Sequence, residues 1–230
     1  MKKIIFLLLL AAAGGYWLVL SKPGMYYGTS LVYKNFTLRA RGPLPTNMEG
    51  VLDKVYDKIT AAELAKPDQK FDIYLTGGKN EFSFFAPFQR GVYYRVCPLN
   101  GAIYIAAAEF GPDRVRSAPG AADYRTLSSE LMAAAAVEML RRSVEPLKYM
   151  FMKEWKIRGY AERVSGGTGA FLPADLCTGS ESDPAFLDFK YGMTVDFALK
   201  EEGVAFSEFL QKESSYEGYA ARLKKMQCGG

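Results

Sequence analysis

The stretch RTLSSELMAAAAVEMLRR, residues 125–142, decides how this chain folds. Alanine has the highest helix propensity, and the run Ala133–Ala136, flanked by Leu131, Met132, Val137, Met139 and Leu140, predicts a helix that other backbones can approach closely. Further on, EWKIRGYAERVSG (154–166) predicts a second helix, and the pattern stays helical to the end apart from a Gly/Ser/Pro-rich loop at 165–184. Upstream the period changes. SLVYKNFTLRA (30–40) alternates like a strand, and FDIYL (71–75), GVYYRV (91–96) and AIYIAA (102–107) are β-rich runs between turn residues. TNMEGVLDKVYDKITAAEL (46–64) is an amphipathic helix with Val51, Val55, Ile59 and Ala62 on one face and Thr46 and Glu49 at capping-box spacing. Strands first and helices afterwards predict an α+β domain: an antiparallel or mixed sheet with helices, then a mainly helical carboxy-terminal part.

The 230 residues suffice for one globular domain plus an appendage, and 49% hydrophobic content supports a real core. A net charge of +4 without a dense Lys/Arg cluster gives no ground for a nucleic-acid partner. The chain contains no histidine. That excludes a Ser-His-Asp triad, a Cys-His dyad and any His-ligated zinc. Cys97, Cys177 and Cys228 form no CxxC pair, so a cysteine-built metal site is not expected. Outside the cytoplasm Cys97 and Cys177 could join in a disulfide; separate buried thiols are the alternative.

Lys2 and Lys3 precede IIFLLLLAAAGGYWLVL (4–20), an uncharged run at the short end of a membrane span. The lysines place the rest of the chain across the membrane by the positive-inside rule, with Tyr16 and Trp17 at the far interface. Ala11-x-Ala13 offers a signal-peptide cleavage site instead, but the run continues to Leu20, which favours an uncleaved anchor. The expected organisation is an anchor and linker at 1–22 and one extracytoplasmic domain at 23–230, single-pass at the inner membrane.

The two helices, 125–142 and 154–166, resemble the gluzincin metallopeptidases, in particular small membrane-anchored bacterial zinc peptidases of that class. The resemblance implies a zincin-like fold with His-Glu-x-x-His on the first helix and Trp-x-x-Glu-Gly-x-x-Glu-Tyr or a variant on the second. Two ligands at i and i+4 share a helix face and the second helix supplies the third. Here Trp155, Gly159, Tyr160, Ala161 and Glu162 match the second pattern, but Arg158 stands at the ligand position. On the first helix the best ungapped register puts Ala133 and Val137 at the histidines and Ala134 at the catalytic glutamate. A register one turn earlier uses Ser129, Glu130 and Ala133 and keeps a carboxylate. Neither retains a metal ligand, so the resemblance implies a pseudoenzyme with no cofactor. Its expected partners are the membrane, through the amino-terminal helix, and a peptide or protein held in the surviving cleft; the alternatives are a hydrolase with a relocated carboxylate metal site or a structural envelope domain.

In a desolvated cleft Arg158 needs a carboxylate, with Glu130, Glu138, Glu154 and Glu162 as candidates, and Trp155 is a further cleft residue. Other motifs read blandly. GGTG (166–169) lacks the Walker lysine, DLCTGSESD (175–183) matches no calcium loop, and Ser128 and Ser129 have no lysine base nearby. Phe186, Phe189, Met193 and Phe197 are expected in the core, and the rings of FSFFAPF (82–88) read as ordinary core with a cleft wall as the alternative.

Overall fold

The computed structural model describes residues 2–85, 93–167 and 171–229 and is α+β, as the order of periods predicts. Helix α1 (Lys2–Ser21) carries Ile5, Phe6, Leu7, Leu8, Leu10, Trp17 and Leu18 more than half exposed. Among the described residues no helix is long and apolar enough to cross a membrane. The side chains of residues 2–4, 9, 12 and 13 lie outside that set, so the anchor reading keeps its basis in the sequence. The end of α1 is docked: Leu20 is buried and its carbonyl accepts a bond from Asn100 Nδ2 at 2.7 Å.

Residues 30–40 are not one strand but a hairpin. Lys34 takes φ 51° in a two-residue turn between β1 (Thr29–Tyr33) and β2 (Phe36–Ala40), which pair antiparallel. Helix α2 (Glu49–Thr60) buries Val51, Leu52, Val55 and Ile59 as its period requires. The capping box does not form: Met48 occupies the cap without a side-chain bond, and left-handed Asn47 (φ 59°) separates Thr46 from the helix. β3 (Phe71–Leu75) then lies parallel to β2. Helix α3 (Lys79–Phe85) sends Phe82 and Phe85 into the core, Phe85 stacking on Tyr104, while Phe84 meets Tyr16 of α1. Phe82 and Phe85 are thus ordinary core and Phe84 packs on α1, so these three rings do not form a cleft wall; residues 86–88 lie outside the described set.

β4 (Tyr94–Val96) and β5 (Ile103–Ile105) complete a sheet of order β1-β2-β3-β5-β4, with β5 parallel to β3 and β4 antiparallel at the edge. β6 (Ala107–Glu109), β7 (Arg114–Arg116) and β8 (Arg125–Thr126) form a small antiparallel sheet. Helix α4 (Leu127–Ser143) is buried nearly all round, against α2, both sheets and a later helix, which is the use its alanines predict. After α5 (Pro146–Met150), helix α6 (Glu154–Ser165) lies between α4 and α7 (Pro184–Glu202), with α8 (Phe206–Phe209) and α9 (Tyr216–Cys228) closing the chain.

Phe186 packs with Leu176 and Leu223 in a satellite core bordered by Phe189, Met193 and Phe197, as the stripe predicts. Beside it Cys177 and Cys228 form the disulfide, with Cα atoms 5.6 Å apart. Cys97, the alternative partner for Cys177, is a free thiol buried in the main core, as the separate-thiol reading has it for that residue. Cys97 follows β4, and the local cluster around Cys177 holds none of that strand's residues.

Candidate functional site

Helix α6 divides its side chains by face. Trp155 packs edge-on to Phe209 and against Tyr216 and Tyr219, and Tyr160 stacks on Phe206 with centroids 4.3 Å apart while its hydroxyl accepts the Leu64 N–H at 3.3 Å. Lys156 is buried and donates Nζ to the carbonyls of Phe209 (3.0 Å) and Lys212 (2.6 Å); burial lowers its pKa to about 8. These residues fasten α6 to α8 and the turn after it. Gly159 faces α7, where a Cβ would stand 2.6 Å from Val195 Cγ2 and 2.7 Å from the Tyr191 carbonyl oxygen. Arg158, Ala161 and Glu162 line a cavity.

That cavity, about 230 Å³, lies between α4 and α6. Ser129, Glu130 and Ala133 line it from α4, Tyr93 and Tyr94 from the edge strand and its approach, and Pro184 and Asp188 from the first turns of α7. Arg125 enters from β8. Arg125 Nη1 donates to Glu130 Oε1 at 3.1 Å and its guanidinium lies 5.1 Å from the Tyr93 ring centre. Arg158 Nε donates to Asp188 Oδ1 at 2.5 Å, Nη1 to Glu154 Oε1 at 3.2 Å and Nη2 to the Pro184 carbonyl at 3.3 Å.

Glu162 stands apart. Among the described residues its carboxylate makes no hydrogen bond or ion pair. Two glycines make room for it: a Cβ on Gly192 would sit 2.9 Å from Glu162 Cγ, and one on Gly167 would meet the carboxyl itself. Burial, then the negative charges of Asp188 and Glu130, push its pKa up to about 7. Burial raises Glu130 as well, with Arg125 opposing. For Arg158 burial works against the charged form, and the bonds to Asp188 and Glu154 outweigh it, so its pKa rises.

The expected site residues therefore separate into two groups. Ala133, Arg158, Glu130 and Glu162 converge on the cavity, and Glu154 supports it through Arg158. Ala134 and Val137 do not: both are core side chains of α4, and of the two registers only the one through Ser129, Glu130 and Ala133 has its residues on the cavity wall. Glu138 does not face Arg158 either. It is fully buried and bound by Arg141 (2.6 and 2.9 Å) and Arg142 (2.5 Å) of its own helix. Trp155 does not line the cavity and instead packs on Phe209, Tyr216 and Tyr219. Arg125, Asp188, Tyr93 and Tyr94 were missed. Asp188 had a signal: it lies one turn before Gly192, and a glycine inside a helical pattern marks a close approach.

The acidic loop at 175–183 uses its carboxylates locally. Asp175 Oδ2 accepts from the Leu172 N–H, Asp183 caps α7, and Glu181 pairs with Lys190. Ser128 Oγ donates to Asp113 at 2.9 Å.

No protein-family model matches the chain, and no curated protein or solved structure matches it either. The residues that line the cavity do not fit the zinc of an active gluzincin. At positions 129, 133 and 158 stand a serine hydroxyl, an alanine methyl and a guanidinium, and a dication has no favourable place beside Arg158. Among the described residues no group of three or more His, Cys, Asp or Glu side chains has the geometry to hold a metal ion.

Proposed function

We propose that this chain is a membrane-anchored, extracytoplasmic binding domain on a metallopeptidase-like frame, without hydrolytic activity, and that its cleft holds a segment of peptide or protein. One observation carries the reading. The cavity lies between α4 and α6, where the resemblance expects the metal, and Arg158 stands at the third-ligand position tied to Asp188 and Glu154. A half-buried arginine with carboxylate partners is a plausible replacement for zinc as the charge that joins the helices.

The surroundings support a docking role. β4 is an edge strand, so its outer backbone groups can pair with an added extended segment, and Tyr94 of that strand lines the cavity. The exposed apolar row on α1 calls for a cover of lipid, and the Cys177–Cys228 disulfide suits an oxidising compartment.

The register whose residues line the cavity gives the test. The triple variant Ser129→His, Ala133→His, Arg158→Glu, with Glu130 retained, is expected to bind zinc stoichiometrically by metal analysis and competition with a chromophoric chelator. A control placing His at 133 and 137 and Glu at 134 is expected not to, because Ala134 and Val137 face the core. No zinc in the triple variant, or tight zinc in the native protein, would end the reading. The rival hydrolase reading draws on the meeting of Glu130, Asp188 and Glu162 in one cavity, but arginines hold two of these three.

A further inference from the structure

We infer that the α4–α6 cavity is a recognition pocket for one cationic group, a basic side chain or primary amine of the docked segment, with Glu162 as its counter-charge. The inference rests on the proposed binding role and adds the chemistry of the ligand.

The pairing of charges leads there. Of the three acids that line the cavity, Glu130 is matched by Arg125 and Asp188 by Arg158, each at hydrogen-bond distance. Glu162 is left over, facing the same space without a partner among the described residues. A partly buried carboxylate is unfavourable until a cation or donor meets it, so a cationic visitor gains attraction that a neutral or anionic one does not. The two arginines are already engaged and do not compete for Glu162 by a direct bond.

Shape gives the second argument. Gly192 and Gly167, from different segments, leave the Glu162 side chain a cradle that a methyl on either would fill. Its walls include the rings of Tyr93 and Tyr94 and the small side chains of Ala133 from α4 and Ala161 from α6. A space of about 230 Å³ holds roughly eight water molecules and falls below the usual size for drug-sized ligands. It suits the end of one aliphatic side chain. The polar end would reach Glu162 and the methylenes would lie along Ala133 and the tyrosine rings.

The test uses the full chain in detergent micelles at pH 8, above the raised pKa of Glu162. Thermal unfolding midpoints are measured with n-butylammonium and n-butylguanidinium, and with n-butanol, butyrate and tetramethylammonium as controls, at matched ionic strength. The two slender cations are expected to raise the midpoint by about 3 °C at tenfold excess over their Kd, and the controls to leave it within 1 °C or so. The rise should vanish in Glu162→Gln and in Ala133→Leu, which fills the pocket. Each variant is compared with itself without ligand, so a change in its own stability does not affect the reading, and Glu162→Gln suffices if Ala133→Leu does not fold. An equal rise with butanol or butyrate, no rise with either slender cation, or a rise that survives Glu162→Gln would overturn the inference. Zinc binding by the triple variant is scored separately, so failure of the metallopeptidase ancestry and failure of the cation pocket are distinguishable.

Discussion

Arg158 and Glu162 lie one turn apart on the same face of α6, and the protein treats them oppositely. Arg158 is held by Asp188 and Glu154, with about a quarter of its side chain exposed. Removing it leaves Asp188 without its cation next to two other acids. That lies between the near-zero worth of a surface pair and the larger loss when a buried pair is broken, so Arg158→Ala should cost about 2 kcal/mol in urea unfolding. Combined with Asp188→Asn the losses should not add, and a purely additive cycle would contradict the pairing. Glu162 makes the opposite forecast. Its folded pKa is raised to about 7, above the unfolded carboxylate value of about 4.3. Between these values the folded state binds a proton that the unfolded state has released, so this group's contribution to stability is lost as pH rises through the window. Glu130 acts in the same direction. Thermal midpoints from pH 5 to 8 should therefore fall less steeply in Glu162→Gln than in the parent protein. Identical slopes would refute the shift.

At the scale of elements, the cleft depends on how closely α6 can lie on α7. Gly159 and Gly192 make that approach possible, and Gly159→Ala forces a methyl against the Tyr191 carbonyl and Val195. Overpacking of this kind costs about 1–3 kcal/mol, and here the obstacle is backbone, so denaturant unfolding should show a loss at the upper end. Ala161→Gly serves as the helix-propensity control. Both helices were legible in the sequence, because alanine content, the WxxxGYA spacing and the change of period each point the same way. Which face of α4 meets the cavity was not. A helix buried on nearly all sides gives its period no preferred direction, and so the best ungapped register runs through Ala134 and Val137, which do not line the cavity. The capping box failed for a similar reason: the spacing of Thr46 and Glu49 was right, but the left-handed turn at Asn47 is a backbone choice that spacing does not reveal. Arg125 and Asp188 reach the cavity from β8 and α7, far from the second helix in sequence, and only the packing brings them together.

For the whole molecule, the disulfide decides whether the carboxy-terminal helices hold the floor of the cleft in place. Three cysteines allow three pairings, and the count alone does not choose among them. Packing does: Cys97 is 2% exposed in the main core, whereas Cys177 ends a 3₁₀ turn that α9 covers, bringing Cys228 to it across 51 residues. A loop of that length constrains the unfolded chain by up to about 4 kcal/mol. Cys228→Ser should therefore lower the thermal midpoint by about 10 °C, and a reducing agent should do the same to the parent protein but not to the variant. The effect should also reach the pocket, because the cluster of Leu176, Phe186 and Leu223 beside the cross-link seats the first turns of α7, where Pro184 and Asp188 receive Arg158. Thiol titration gives the check on pairing. The native protein should show no fast-reacting thiol, two should appear on reduction, and Cys97 should respond only on unfolding. A single fast thiol in the unreduced native protein would mean that Cys177 and Cys228 are not joined, and that α9 is held by packing alone.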